Sequence, residues 1–155
     1  KLLLSSFVPA TQAGTRRARW RGMNAQELRD RSHRFALDTI AFCKTLPADS
    51  GSRRISDQLR DAANSVAMNY RAACRARSPA EFIAKICITV EEADEAQGRL
   101  QTLIESGTAS TTEARRLLQE STELLKIFAA SKRTSMRNQA NRAKEQPARR
   151  QSRNR

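Results

Sequence analysis

Apolar residues return at intervals of three and four along most of this chain, the period of one face of an α-helix, and punctuation residues break the pattern into four segments. The first, residues 24–46, sets Leu28, Phe35, Ile40, Phe42, Cys43 and Leu46 on an imperfect face. Asn24 with Glu27 three residues later has the form of a capping box, and Pro47 with the run Asp49, Ser50, Gly51, Ser52 ends the segment. The second, residues 52–76, carries a cleaner stripe of Ile55, Leu59, Ala62, Val66, Tyr70 and Ala73. At about 100° per residue, Arg53, Arg60, Arg71 and Arg75 fall together on its opposite side, interrupted by Asp57 and Asn64.

The third segment, residues 78–107, opens with Ser78, Pro79 and Glu81, a capping box combined with proline at the first helical position, where a missing N–H does no harm. Phe82, Ile83, Ile86, Val90, Ala93, Leu100, Leu103 and Ile104 continue the pattern to Gly107, which suits a left-handed cap; Gly98 lies inside it at some cost. The fourth starts near Ser110, with Glu113 three residues on, and turns Ala114, Leu117, Leu118, Ser121, Leu124, Leu125 and Phe128 inward before fraying near Ser131. Beyond Thr134 apolar periodicity is lost, which predicts a disordered basic tail over residues 135–155. Four amphipathic helices with short connections pack most simply as an all-α, antiparallel up-down-up-down four-helix bundle over residues 23–134. Ala62, Ala63, Ala72 and Ala73 permit close approach of a neighbouring helix.

Composition agrees: the 155 residues include only five Gly and four Pro and are 5% aromatic, too few turn-formers and aromatics for a sandwich or barrel. Charge changes the picture more. The chain carries +13 overall, but residues 1–22 hold +5, residues 135–155 hold +6 and the middle only +2. The high pI therefore belongs to two ends around a nearly neutral bundle. The start, KLLLSSFVPATQAG, has some features of a signal peptide, but its apolar run is short and broken by two serines, and the first methionine is Met23; residues 1–22 read as a basic extension, disordered or upstream of the true start. No run of eighteen or more apolar residues is present, so no membrane partner is expected.

Candidate chemistry is sparse. Cys43, Cys74 and Cys87 are widely spaced, and His33 is the single histidine, so no zinc site, metal or other cofactor is expected; reduced thiols suit a cytoplasmic protein. His33 lacks triad partners and reads as an exposed helical residue. Glu91, Glu92, Asp94 and Glu95 could in principle hold metal, but no Glu-x-x-His accompanies them and a solvated or ion-paired face explains them better. No phosphate loop or dinucleotide fingerprint appears, and the chain does not read as an enzyme.

The arginines remain. They can neutralise phosphates without reading bases. TRRARWRG sets Arg16, Arg17, Arg19 and Arg21 around Trp20, which can stack on an unpaired base. Arg71, Arg75, Arg77 and Lys85 cluster around the second turn, where the alternative is pairing with Glu81, Asp94 or another subunit; Arg53, Arg60 and the tail's Arg149 and Arg150 complete the candidate nucleic-acid contacts.

Over residues 65–107, SVAMNYRAACRARSPAEFIAKICITVEEADEAQGRLQTLIESG, the sequence resembles the bacterial four helix bundle protein family, also called the ribosomal RNA intervening-sequence protein family. Ser65, Asn69, Tyr70, Arg71, Arg75, Arg77, Ser78, Glu81, Phe82, Lys85, Glu92, Ala93, Asp94 and Glu95 fit its pattern, ISDQLRDAA precedes them suitably, and the likeness extends over residues 24–132. Ala67, Gly98 and Arg99 depart from it, and both basic ends lie outside it. The resemblance implies a homo-oligomeric ring, commonly a pentamer, without catalytic activity. Some members are encoded within sequences interrupting ribosomal RNA genes; a related branch serves diversity-generating retroelements, binding a reverse transcriptase and nucleic acid. The leading expectation is therefore a non-enzymatic bundle that binds RNA or DNA, RNA favoured; the alternative is a protein-interaction accessory subunit, for example of a reverse transcriptase.

Overall fold

The computed structural model describes residues 23–152, with side chains placed to residue 145, and its described residues form four helices and no strand. Helix α1 spans Ala25–Cys43, α2 Ser50–Ala73, α3 Pro79–Glu105 and α4 Thr112–Ser152. Each packs on the next in an up-down-up-down bundle, and α4 closes onto α1 through the thinnest of the four seams.

Local chemistry sets the helix starts. The amide of Glu27 donates to Asn24 Oδ1 and the amide of Asn24 donates to Glu27 Oε2, both at 2.9 Å, so the first capping box closes as the sequence predicts. Helix α2 starts two residues earlier than the apolar stripe suggests, because Asp49 caps it, accepting from the Ser52 amide at 2.9 Å. At α3 the Glu81 amide donates to Ser78 Oγ at 3.1 Å, but the Glu81 carboxylate accepts from the Arg77 amide at 2.9 Å instead of completing the box on Ser78. Thr111 rather than Ser110 caps α4, accepting from the Ala114 amide at 3.1 Å. Gly107 adopts φ +75°, and beyond it the Ala109 amide donates back to the Leu103 carbonyl at 3.0 Å, a left-handed exit that glycine takes without steric cost.

The core is the predicted set of stripes. Phe35, Leu59, Val66, Ile86, Leu100, Leu103, Leu117, Leu124 and Phe128 are fully enclosed, with the Tyr70 and Phe128 rings 5.1 Å apart and tilted. Small polar residues also occupy core positions. The Ser32, Thr89 and Ser121 hydroxyls donate to the Leu28, Lys85 and Leu118 carbonyls of their own helices, which satisfies them without a cross-helix partner. Burial pushes the Cys43 thiol up from its ordinary pKa, so it packs as an inert apolar group. Charges lace the thin α1–α4 seam. Arg31 grips both Glu120 oxygens at 2.6 and 2.8 Å and Glu123 at 2.7 Å, and Arg116 reaches Asp38 at 2.8 Å.

One expectation fails. Helix α4 does not fray near Ser131 but continues to Ser152, so residues 135–152 are helical rather than a disordered tail. Lost apolar periodicity removes a packing face, but a helix already nucleated by the bundle gains one backbone hydrogen bond for each residue it adds. The segment is rich in Arg, Ala and Gln and contains no glycine, and Pro147, which has no N–H to donate, is its one strong helix breaker. Its described side chains from Met136 to Glu145 are all exposed.

Candidate nucleic-acid interface

Arg71 stands exposed in the last turn of α2, and Arg75 follows four residues later in the turn just beyond its C-cap. The antiparallel α1 brings Gln26, Arg29, Asp30 and His33 opposite them, and the two helices enclose a cleft of about 320 Å³ floored by Ala67 and Met68. Arg29, Arg71 and Arg75 form no ion pair among the described residues. The one carboxylate in the lining, Asp30, accepts from Gln26 Nε2 at 2.7 Å. Like charges gathered at one cleft repel rather than stabilise, so their proximity does nothing for the fold and leaves donors free for an anion.

The remaining sequence candidates divide. Arg77 projects into solvent with a 90% exposed side chain, touching Glu81 loosely at 3.4 Å; hydrogen bonding from the Arg77 amide holds the Glu81 carboxyl below its ordinary pKa. Lys85 is half-buried one turn beyond Glu81 on α3 and does not line the cleft. Arg60 pairs with Asp57 at 2.8 Å, and Arg53 donates to the Ala48 carbonyl at 3.1 Å. At 1.5 Å per residue they lie about 16 and 27 Å along α2 from Arg71, outside the cleft. Arg16, Arg17, Arg19, Trp20 and Arg21 lie outside the described residues, while Arg149 and Arg150 sit on the helical backbone of α4, beyond the described side chains. Sequence reasoning left Arg29 and His33 out of the candidate contacts; His33 is exposed on α1, as read from the sequence, but it also lines the cleft. Both lie one turn apart on α1, the signal that could have found them, but only the packing shows which side of α1 meets Arg71 and Arg75.

The same end of the bundle carries more basic surface. Phe82 at the start of α3 shares a groove of about 620 Å³ with Lys126, Ile127, Ala130, Arg133 and Thr134 of α4, which fixes where α4 leaves the bundle. From residue 135 onward the backbone of α4 continues for about 27 Å, at 1.5 Å per residue. Arg137, Arg142 and Lys144 on this arm are exposed.

The acidic stretch of α3 behaves differently. Glu95 pairs with Arg99 at 3.1 Å, while partial burial, with repulsion from Glu95 and Glu91, raises the Glu92 carboxyl above its ordinary pKa. No group of three or more His, Cys, Asp or Glu side chains among the described residues is arranged to hold a metal ion, and no described helix is long and apolar enough to cross a membrane.

The sequence pattern of the 23S rRNA-intervening sequence proteins matches residues 25–130, most of the bundle and none of the arm. In structure the chain is similar to a crystallised protein of unknown function from the S23 ribosomal protein family of Bacteroides thetaiotaomicron, at 27% identity and a TM-score of 0.65, over 72% of this chain and 99% of that one. No curated protein matches in sequence.

Proposed function

This chain belongs to the 23S rRNA-intervening sequence protein family, and from that premise we propose that it is a non-catalytic, nucleic-acid-binding four-helix bundle whose preferred ligand is RNA. Arg29, Arg71 and Arg75 hold the sugar–phosphate backbone in the α1–α2 cleft, and the basic residues of the α4 arm add contacts from the same end. The observation that carries this reading is the convergence of three guanidinium groups without ion pairs on a bundle otherwise close to neutral. The family name supplies the preference for RNA. Assembly into a homo-oligomeric ring would repeat the cleft and raise the effective concentration of sites along one strand.

The test is RNA binding by the full chain across a salt series, with particle mass recorded alongside. Each neutralised phosphate contributes about 0.7 to 0.9 to the slope of log affinity against log salt, so the combined R29Q, R71Q and R75Q variant should lose roughly 2 to 3 from that slope. Unchanged affinity and slope in a folded variant would remove the cleft from the interface. If wild-type protein failed to bind RNA or DNA at low salt, the bundle would be better read as an accessory subunit for a protein partner.

A further inference from the structure

Four of the five described aromatic residues, Phe35, Phe42, Tyr70 and Phe128, are buried; Phe82 alone is part-exposed. One side of it packs against the core, and the rest of the ring lines two grooves. The first is the α3–α4 groove; the second, of about 570 Å³, runs past Arg77 and Pro79 at the α2–α3 turn. Phe82 thus forms the ridge between them. Cations stand on both sides, Arg77 in the second groove and Lys126 and Arg133 in the first. Neither Lys126 nor Arg133 forms an ion pair among the described residues.

We propose that Phe82 is the platform of a subsite for an unpaired nucleobase, with the phosphates on either side of that base held by Arg77 and by Lys126 and Arg133. An apolar groove flanked by cations, of which among the described residues only Arg77 has a carboxylate partner, the loosely held Glu81, fits a single-stranded nucleic acid, whose planar base stacks on an aromatic ring while its backbone keeps its charge at the rim. A duplex keeps its bases stacked inside and offers the ring nothing. The subsite deepens the nucleic-acid reading and rests on it, but uses residues separate from the Arg29, Arg71 and Arg75 cleft.

The experiment compares full-chain binding of a twelve-nucleotide oligouridine with the same backbone made abasic at its central positions. Wild-type protein should prefer the strand with bases by about tenfold, the scale of one aromatic–base stack. Phe82→Leu, which keeps much of the apolar volume for the core, should abolish that preference in a protein that still folds cooperatively, and Phe82→Tyr should keep it. The K126Q and R133Q pair should weaken both strands together and leave the preference intact. Equal binding of both strands by wild-type protein overturns the subsite while leaving the cleft reading in place; loss of both strands on R29Q, R71Q and R75Q substitution would then confirm that separation. Binding of neither strand overturns the nucleic-acid reading and the subsite with it. A change in particle mass on F82L substitution, with base preference intact, would assign the ridge to a contact between copies instead.

Discussion

Individual side chains in this bundle divide into those that answer to the core and those whose charge the fold leaves unbalanced. Asp49, Glu81 and Glu113 accept hydrogen bonds that hold their carboxyl pKa values below normal, chiefly from Ser52, Arg77 and Arg116 respectively. A depressed carboxyl binds its proton less well in the folded state, so its contribution is complete above the ordinary values of 3.8 for Asp and 4.5 for Glu and is lost as pH falls through the lower folded values. Glu92 has the opposite sign. Its raised pKa means that ionisation opposes folding, and that opposition is relieved as pH falls through the folded value. E92Q should therefore raise the melting temperature slightly at pH 7, with the gain vanishing near pH 4 where the wild-type carboxyl carries its own proton; a loss at pH 7 would mean that Glu92 has a stabilising partner. Periodicity made the core legible because burial repeats every three or four residues whatever the neighbours do. It could not show that Glu81 bonds the Arg77 amide, since Ser78 and Arg77 both lie within its reach.

At the scale of elements, caps carried most of the information. Asn24 and Glu27, Ser78 and Pro79, and Gly107 marked helix ends from a few residues each, and the structure places ends close to them. The far end of α4 was not legible. Disorder was inferred from missing apolar periodicity, whereas a helix already anchored in a bundle needs only propensity to propagate. Gly98 provides a test of that same balance within α3. A Cβ built there meets nothing within 4 Å, and the residue lies within regular helix without positive φ. G98A should accordingly stabilise the protein by about 0.5–1 kcal/mol, read as a higher denaturant midpoint at constant slope. An unchanged or lower midpoint would show that the position serves a contact beyond the single chain.

For the molecule as a whole, the architecture was readable, whereas the grouping of the cleft's residues was only partly so. Arg71 and Arg75 stood out because their spacing of four puts them on one side of the chain at the end of α2. Arg29 did not, because its place beside them depends on how α1 packs on α2, a property of two packed stripes rather than of either sequence. The near-neutral bundle and its basic ends likewise acquire meaning only in three dimensions, where the C-terminus of α2, the start of α3 and the outgoing α4 share one end.

The run of α4 beyond residue 134 also acts as a ruler. Its backbone spans roughly 27 Å, so the arm can extend the reach of the cleft along one ligand by up to that distance. Affinity plotted against ligand length should therefore climb steeply until about that size and flatten beyond it, and the break should move to shorter ligands when the chain is truncated after Thr134. A smooth curve in both proteins would mean that the arm takes no part in measuring its partner.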